Sequence, residues 1–373
     1  MKIGIDARLY GPKQGGLGRY IQQLILNLEK LDLDHEFVIF LRRENWDEYS
    51  PTNPRFIKVL ADIPWYGWKE QFLLPNLIDR QKIDLMHFPH WNVPIFYRRP
   101  FVVTIHDLLL LHFPTRRASS LNAPTYWIKN NVFKIVIKHA IKQARCIITP
   151  SDYTKKDIQN TFHRAAEDIT VLHQGPTAFP ENSRASITPY GIRQPFVMYV
   201  GVAYPHKNLS FLLKAWALFK KTYHTDHQLV LVGKENYFYQ QLLSSDVWKK
   251  CPDVCHTGFV PDDDLPKIYQ SASLYVMPSL YEGYALPCLE AMRYKLPVVS
   301  SQATCLPEVL KGAALYFNPF DTNSLVETIH RGLTDMPLRE TIISAGQKLL
   351  TNYSAKTLAE KTLAIYQKTV DNI

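Results

Sequence analysis

Short apolar segments alternate with helix-like segments along most of this chain, and this alternation restricts its fold more than any other feature. Amphipathic stretches such as GRYIQQLILNLEKL (18–31) separate apolar runs that are too short to be helices. A chain of this pattern forms a parallel sheet with helices packed on both faces. The strand candidates of the first half are KIGIDA, EFVIFL, FIKVL, DLMHF, FVVTIHD and CIITP.

The same alternation starts again after residues 175–195, GPTAFPENSRASITPYGIRQP, a stretch rich in proline, serine and glycine. Such a composition is typical of an exposed connection between domains, and 373 residues are enough for two cores. We therefore predict an α/β fold with two Rossmann-like domains, 1–180 and 181–353, that face each other across a cleft. The strand candidates of the second domain are FVMYVG, HQLVLVG, VCHTGF, SLYVMPS, LPVVSS and ALYFNP.

The composition narrows the class of protein. Net charge is +9, and residues 1–180 contribute most of it, with 24 Lys and Arg against 17 Asp and Glu. A basic surface suits nucleic acid, an anionic membrane or phosphorylated substrates, but no nucleic-acid-binding signature accompanies it, so no nucleic acid partner is expected. No apolar run approaches the roughly 20 residues that span a bilayer. The N-terminus enters a strand pattern at once, which predicts a cytoplasmic protein without a signal peptide.

A metal site is not predicted. The five cysteines are odd in number and scattered, as expected for reduced thiols. CPDVCH (251–256) has no second ligand pair at the spacing of a zinc site.

A glycine-rich segment, GPKQGGLGRY (11–20), lies between the first strand and a helix. Gly15, Gly16 and Gly18 permit a tight turn and close approach of a ligand, and the helix N-terminus that follows attracts anions. The segment therefore suits a phosphate. The alternative is a flexible connection, because the spacing matches neither the dinucleotide fingerprint nor a Walker loop.

Two further motifs also follow strands. His106 and Asp107 end the strand of VVTIHDLLLLHFP (102–114), where a histidine can hydrogen-bond or move a proton near neutral pH; Asp107 alternatively caps the next turn. His206 and Lys207 lie in YVGVAYPHKNLSFLLKA (199–215), at a helix start where a lysine can meet a diphosphate. The alternative for Lys207 is a solvated loop residue.

The segment YEGYALPCLE (281–290) contains two glutamates in mostly apolar surroundings. Gly283 and Ala285 let the backbone approach a ligand, and Pro287 suits the first turn of a helix. The expected helix begins near Pro287, with Glu282 in the loop before it and Glu290 in its first turn. The alternative is a surface glutamate followed by an acid that stabilises a helix N-terminus.

Taken together, PSLYEGYALPCLEAMRYKLPVVSSQATCLPEV, VTIHDL, ITPSDYTKKDI, YVGVAYPHKN and GGLGRY resemble the family 4 glycosyltransferases, retaining enzymes of the GT-B fold. The resemblance runs from Met1 to about residue 350 and implies that a last helix, 354–373, crosses back onto the first domain. It implies transfer of a hexose, mannose or a similar sugar, from a GDP- or UDP-sugar without a metal cofactor. The implied acceptor is a hydroxyl of a lipid-linked or growing glycan in cell-surface polysaccharide synthesis.

The resemblance also implies roles for individual residues. Glu290 would bind the donor ribose, Glu282 the transferred sugar, and Lys207 the diphosphate. Catalytic roles would thus fall to His106, near the reacting carbon, and to Lys207 and Glu282. The remaining donor-binding residues would be Gly16, His206, Gly283, Tyr284, Ala285 and Leu286, and the acceptor-side residues would be Gly15, Gly16, Arg19 and Asp107.

This chain departs from the family pattern at four positions. Val202 replaces an arginine that many members carry, and His206 replaces another found in a close subgroup, which predicts a weaker or pH-sensitive diphosphate clamp. Ala285 and Lys295 occupy positions that are usually glycine, which narrows the freedom of the backbone near the donor.

Three other functions remain open. A metal-dependent GT-A transferase would use an Asp-x-Asp pattern, but DDD (262–264) is interpreted as helix capping and DLD (32–34) as a turn. A nucleotide-sugar epimerase would need an acid or base pair that is not evident. A non-catalytic binding subunit is compatible with Val202 and His206.

A basic helix is predicted at 122–142, with Lys134, Lys138 and Lys142 along one stripe. It is either a packed helix with a solvated lysine edge or a surface that rests on the anionic inner face of the cell membrane. The second interpretation would make the protein a peripheral membrane protein.

Overall fold

The computed structural model describes residues 1–32, 34–114, 123–180 and 186–372, and these form two compact units. One unit combines Met1–Gln174 with Tyr353–Ile373, and the other is Gly175–Asn352. Residues 181–185 of the predicted connection, Leu33 of the DLD pattern and Asn122 of the predicted basic helix lie outside the described residues.

The boundary between the units differs slightly from the one that the composition predicts. The second unit begins at Gly175, whereas the sequence predicts residue 181. The reason lies in Thr177, whose hydroxyl donates to the carboxylate of Glu290 and whose carbonyl accepts from Arg293 Nη1 at 3.2 Å. These bonds hold the first residues of the predicted connection on the second unit.

The first unit contains a sheet in which all strands are parallel, in the order β3-β2-β1-β4-β5-β6-β7. The strands are β1 Lys2–Asp6, β2 Glu36–Leu41, β3 Phe56–Leu60, β4 Leu85–Phe88, β5 Phe101–Thr104, β6 Cys146–Thr149 and β7 Ile169–Val171. Its helices are α1 Gly15–Leu28, α2 Trp68–Arg80, α3 Leu109–His112, α4 Ala123–Gln143, α5 Asp152–Phe162 and, from the C-terminus, α14 Ala355–Asp371.

Both faces of this sheet are buried. Ile3 and Ile5 belong to the hydrophobic cluster on one face, as do Phe37 and Ile39, whereas the alternate residues of β2, such as Val38, belong to the cluster on the other. This arrangement explains the nearly continuous apolar strands of the sequence, since a parallel sheet covered on both sides has no solvated face.

The last helix packs on the first unit, which confirms the predicted crossing. Helix α14 lies against α1, and its Tyr366 is fully buried in the same core as Ile3. Ser354 caps the helix by accepting from the backbone N–H of Thr357 at 3.0 Å.

The second unit repeats the architecture with a parallel sheet in the order β10-β9-β8-β11-β12-β13. The strands are β8 Phe196–Val200, β9 Gln228–Val232, β10 Val254–Gly258, β11 Leu274–Met277, β12 Val298–Ser301 and β13 Leu315–Phe317. The helices are α6 Leu209–Tyr223, α7 Tyr237–Ser244, α8 Asp246–Lys249, α9 Leu265–Ser271, α10 Leu286–Arg293, α11 Leu306–Leu310, α12 Thr322–Thr334 and α13 Met336–Leu350.

Each sheet reverses its strand order once, between β1 and β4 in the first unit and between β8 and β11 in the second. Loops that leave the carboxyl ends of strands at such a switch point diverge and leave a crevice, which is where open α/β sheets bind ligands. Among the described residues, no helix combines the length and the apolar character that crossing a bilayer requires.

Candidate active site

Lys207 and Glu282 follow the two strands beside the switch point of the second sheet and form an ion pair. Lys207 Nζ donates to both carboxylate oxygens of Glu282, at 2.6 and 2.8 Å. Their side chains are only 19% and 11% exposed, so the charges attract each other more strongly than a solvated pair would. The structure thus places a partly desolvated ammonium group where an anionic ligand of the crevice could reach it.

The loop that carries Lys207 is fixed by its backbone. A short 3-10 turn spans Pro205–Lys207, and Asn208 then takes a left-handed conformation, with φ of 59°, before α6 begins. Asparagine tolerates this conformation better than most residues do. The backbone N–H of Leu280 donates to the carbonyl of His206 at 2.7 Å, which ties the loop after β8 to the loop after β11.

His206 is buried next to Lys207. Burial, and secondarily the neighbouring ammonium of Lys207, lowers the pKa of His206 to about 3, so its ring is neutral near pH 7. The imidazole can form hydrogen bonds but supplies no positive charge in place of an arginine. The expectation of a pH-sensitive clamp is therefore not supported near neutral pH.

The loop after β11 is held at Glu282 by Thr304. The N–H of Glu282 donates to Thr304 Oγ1, and this hydroxyl donates to the carbonyl of Glu282, both at 3.0 Å. Ala285 is fully buried with φ of −114°, so this position does not need glycine. Lys295 does adopt a left-handed conformation, with φ of 57°, and thus keeps a backbone shape that favours glycine.

Glu290 is buried on α10 and is engaged by two hydroxyl groups. The helix begins at Leu286, one residue earlier than predicted, so Glu290 is its fifth residue and lies beyond the first turn. Tyr269 OH donates to Oε2 at 3.0 Å, and Thr177 Oγ1 donates to Oε1. Each oxygen thus receives one hydroxyl donor, which fixes the orientation of the carboxylate.

Thr177 and Tyr269 were not expected at this site. Thr177 falls in the predicted connection, and Tyr269 in a helix with no motif of its own. The two lie 113 and 21 residues from Glu290 along the chain, and no local pattern could have linked them to it.

In the acidic run before α9, the side chain of Asp264 does not cap that helix as predicted. Asp264 is the N-cap residue, but its side chain makes no capping hydrogen bond. Its carboxylate accepts instead from the hydroxyl of Tyr190. The Asp264 side chain is therefore hydrogen-bonded to a residue of the segment that precedes β8.

In the first unit, Gly15, Gly16 and Gly18 of the glycine-rich segment lie in the first turn of α1 rather than in a loop before it, and Pro12–Gln14 form a 3-10 turn that precedes the helix. Gly18 has no room for a side chain, since an added Cβ would lie 2.0 Å from the carbonyl oxygen of Gly11. Gly15 and Gly16 are exposed, and an added Cβ at either would meet nothing within 4 Å. Only these two leave the backbone open to a ligand, while Arg19 beside them is half-buried.

His106 lies two residues beyond β5 with both ring nitrogens engaged. Nε2 donates to the carbonyl of Pro89 at 3.0 Å, and Nδ1 faces the side-chain amide of Gln174 at 3.4 Å. Burial lowers the pKa of His106 to about 4, so the ring is neutral near pH 7. Asp107 accepts from the N–H of Leu109 at 2.9 Å, as expected for a residue that caps a turn.

A buried chain of hydrogen bonds lies behind His106. Tyr366 OH bonds His87 Nδ1 at 2.6 Å, His87 Nε2 bonds Thr104 Oγ1 at 2.9 Å, and Thr104 bonds Tyr20 OH at 3.0 Å. The ring of Tyr20 then meets His106 edge-on, with 4.7 Å between centroids. The crossing helix α14 thereby helps to fix the ring against which His106 packs.

Four histidines with lowered pKa values make stability depend on pH. Burial lowers the pKa of His87, His90 and His206 to about 3 and that of His106 to about 4, well below the value of roughly 6.5 in an unfolded chain. Below that value the unfolded chain binds more protons, so stability is present above pH 6.5 and is lost as pH falls. Each histidine should remove up to about 1.4 kcal/mol of unfolding free energy per pH unit. Urea unfolding between pH 7 and 4.5 measures this slope.

Two variants test whether buried histidine causes this pH dependence of the unfolding free energy. His206→Asn should flatten it, because one neutral buried group is gone, whereas His224→Asn, at an exposed position, should leave it unchanged. If both variants keep the slope of unfolding free energy against pH that the unaltered protein has, the slope does not come from buried histidine.

The sequence matches two glycosyltransferase family models, one in each half of the chain. Residues 14–176 match the family model described as Glycosyltransferase Family 4, and residues 185–349 match Glycosyl transferases group 1. O-antigen chain mannosyltransferase B from Escherichia coli is 29% identical over 380 aligned residues, which cover 94% of this chain and 96% of the relative.

Solved structures share the fold at low identity. Sucrose-phosphate synthase from Thermosynechococcus elongatus superposes with a TM-score of 0.77 at 18% identity and covers 100% of both chains. HepE from Anabaena, solved in complex with UDP-glucose, gives 0.73 at 16% identity and covers 99% of this chain and 100% of its own. These likenesses extend over nearly the whole of each chain and confirm the predicted GT-B architecture.

Proposed function

This chain belongs to the family 4 glycosyltransferases and has their GT-B fold, and from that premise we propose its reaction. A hexose moves from a nucleotide diphosphate sugar to a hydroxyl of a growing or lipid-linked glycan, and its anomeric configuration is retained. The observation that carries this proposal is the partly buried Lys207–Glu282 pair at the switch point of the second sheet.

The relatives support the choice of substrate class. The E. coli relative is an O-antigen chain mannosyltransferase, so we propose mannose as the sugar and a cell-surface polysaccharide as the product. HepE was solved with UDP-glucose, which supports a nucleotide diphosphate as the leaving group. The choice between GDP and UDP is left to the test below.

Three side chains and one loop of the second unit are the main donor contacts that we propose. Lys207 binds the diphosphate, Glu282 binds hydroxyls of the transferred sugar, and Glu290 accepts from the ribose hydroxyls. The N–H groups of the loop and first turn around Tyr284, Ala285 and Leu286 supply further donors for the sugar and the diphosphate. The bonds from Thr177 and Tyr269 hold the two oxygens of Glu290 in one orientation, which suits recognition of a diol.

The reaction exchanges one bond at the anomeric carbon. The bond to the diphosphate oxygen breaks and leaves an oxocarbenium-like sugar, and the acceptor oxygen attacks from the face that the diphosphate leaves. The acceptor proton passes to the departing phosphate, so the products are a glycoside and a nucleoside diphosphate. The protein mainly stabilises the developing negative charge, as Lys207 and the loop N–H groups can do, and holds the acceptor in place.

A panel of nucleotides tests this proposal. GDP, UDP and ADP and their sugars are compared by thermal shift, and the best donor is then incubated with octyl glycosides in the presence of EDTA, since we propose that no metal is needed. One donor should raise Tm, and its sugar should appear on the glycoside. An altered free nucleotide sugar would indicate an epimerase, and a bound but unchanged donor a non-catalytic subunit; either would contradict the proposal.

We also propose that α4 rests on an anionic membrane. Lys134, Lys138 and Lys142 are all exposed, and the helix also exposes Trp127 at 61% and Ile135 at 59%. Lysines interspersed with exposed apolar side chains are typical of helices that lie in the membrane interface. Lys142, Arg98 and Arg145 help to line a concavity of about 430 Å³. Lipid phosphates could bind there.

Reversal of the three charges should abolish liposome binding. Each lysine near an anionic surface contributes about 1 kcal/mol, so Lys134→Glu, Lys138→Glu and Lys142→Glu together should remove sedimentation with vesicles that contain phosphatidylglycerol. The control reverses Lys221, Lys249 and Lys250, which are exposed on the second unit and change net charge equally. Equal loss in both triple variants, or binding that neither affects, would contradict a role for α4.

A further inference from the structure

Two aromatic side chains meet at the carboxyl edge of the first sheet. Tyr66 lies in the loop between β3 and α2 and is 56% exposed. Its ring lies 5.4 Å from that of Trp91, which follows β4, with 30° between the planes. Trp91 in turn packs edge-on against Phe133 of α4 at 4.7 Å. The pair therefore has a rigid support on one side, while Tyr66 remains open to solvent.

One buried carboxylate holds the loops that carry both rings. Glu70 is fully buried, and its Oε2 accepts from the backbone N–H of Tyr66 at 2.8 Å. Its Oε1 accepts from Asn92 Nδ2 at 2.6 Å, and Asn92 directly follows Trp91. A single side chain thus fixes the position of Tyr66 relative to Trp91.

This carboxylate is neutralised by an equally buried arginine. Arg8, 1% exposed, donates to Glu70 Oε1 at 2.6 Å and to Asp6 Oδ2 at 2.7 Å. A buried ion pair of this kind gains little stability over apolar packing, because both charges must be desolvated. It does fix geometry, as supporting residues of a binding site must.

The backbone at Tyr66 is strained. Its φ of 59° lies in the left-handed region, which costs a residue other than glycine roughly 1–2 kcal/mol. The bond from Tyr66 N–H to Glu70 helps to maintain this conformation. Strained residues that are held in this way cluster at ligand sites.

The imidazole of His90 packs against Trp91, with 4.6 Å between the ring centroids. His90 precedes Trp91, and its Nδ1 is buried without a hydrogen-bond partner among residues 1–32, 34–114, 123–180 and 186–372. The preceding carbonyl, of Pro89, is the one that accepts from His106. His90 and Trp91 therefore directly follow a hydrogen-bond partner of His106 along the chain, beside the β1/β4 switch point.

We propose that Tyr66 and Trp91 form a platform for a pyranose ring of the glycan acceptor, with His90 hydrogen-bonded to one of its hydroxyls. The apolar C–H face of a pyranose packs on aromatic rings, and its hydroxyls need a few well-placed polar partners. The inference rests on the proposed function, whose acceptor site it specifies. It assigns the sugar-binding surface to residues outside the glycine-rich segment.

The test separates acceptor binding from donor binding. The acceptor is whichever octyl glycoside or disaccharide glycoside of mannose, glucose, galactose or N-acetylglucosamine the unaltered enzyme elongates fastest. Tyr66→Ala should raise KM for this acceptor about tenfold, while KM for the donor changes less than about twofold. Tyr66→Phe, which keeps the ring, should restore most of the acceptor affinity.

The matched control is Phe72→Ala. Phe72 is also exposed, at 51%, and lies on α2 two residues beyond Glu70, but it stacks on Phe96 and not on Trp91. An acceptor KM that rises equally in this variant, or that Tyr66→Ala leaves unchanged, would overturn the platform. If the unaltered enzyme elongates none of the glycosides, the proposed function itself fails. That result differs from a failure of the platform alone, in which the unaltered enzyme is active but the acceptor KM does not respond to Tyr66→Ala.

Discussion

Replacement of Lys207 by alanine should lower kcat/KM for the nucleotide sugar by about 10²–10³-fold. The ammonium is only 19% exposed and is pinned by two bonds to Glu282, so it needs little reorganisation when the diphosphate departs. Its loss also leaves the Glu282 carboxylate unneutralised next to an anionic donor. Initial rates over a range of donor concentrations, at saturating acceptor, measure the effect.

Two variants separate the charge of Lys207 from its structural role. Lys207→Arg keeps the positive charge and should recover part of the activity, although its planar fork cannot reproduce the position of a single ammonium. Lys220→Ala removes a lysine of similar exposure, 12%, from its ion pair with Asp253 in the same unit. It should lower stability without an effect on kcat/KM. Full activity of Lys207→Ala would contradict the clamp.

Glu290→Gln should raise KM for the donor by about 10²-fold, since a hydrogen bond to a charged group contributes roughly 1.5–3 kcal/mol. The amide can still pair with Thr177 and Tyr269, because both hydroxyls can donate or accept. The amide has only one acceptor oxygen and no charge, so it cannot accept from both ribose hydroxyls as two carboxylate oxygens can. Glu290→Ala should raise KM further, but it also leaves two buried hydroxyls unpaired. Isothermal titration with the nucleoside diphosphate checks that the loss is in binding.

Glu29→Gln is the matched control for Glu290. Glu29 is also buried, at 7% exposure, and accepts from Tyr49 OH at 3.0 Å in the first unit. Its replacement should lower Tm without an effect on donor affinity. If Glu29→Gln and Glu290→Gln weaken the donor equally, or if Glu290→Gln binds the donor normally, the ribose assignment is wrong.

Most of the fold follows from local patterns. The predicted strand segments all contain strands of the two sheets, because a strand buried on both faces is almost continuously apolar. Strand β7 was missed, since ITV (169–171) has only two apolar residues and directly follows the polar turn Ala166–Asp168. The start of α1 was placed too late, because glycines at a helix start resemble a loop.

The site is less accessible to sequence reasoning. Lys207 and Glu282 could each be expected at a strand end, but their ion pair depends on β8 and β11 being neighbours across the reversal of strand order. The link from Thr177 to Glu290 and the role of Glu70 as a shared acceptor depend on tertiary packing over 113 and 62 residues of chain. No motif at either end of these contacts signals them.

The central claim is transfer of a sugar with retention, and ¹H NMR of the isolated product tests it most directly. The anomeric proton of the transferred sugar should show the configuration that the same sugar had in the nucleotide donor. A product with the opposite configuration, or a donor that is consumed without a new glycosidic bond, would contradict the account.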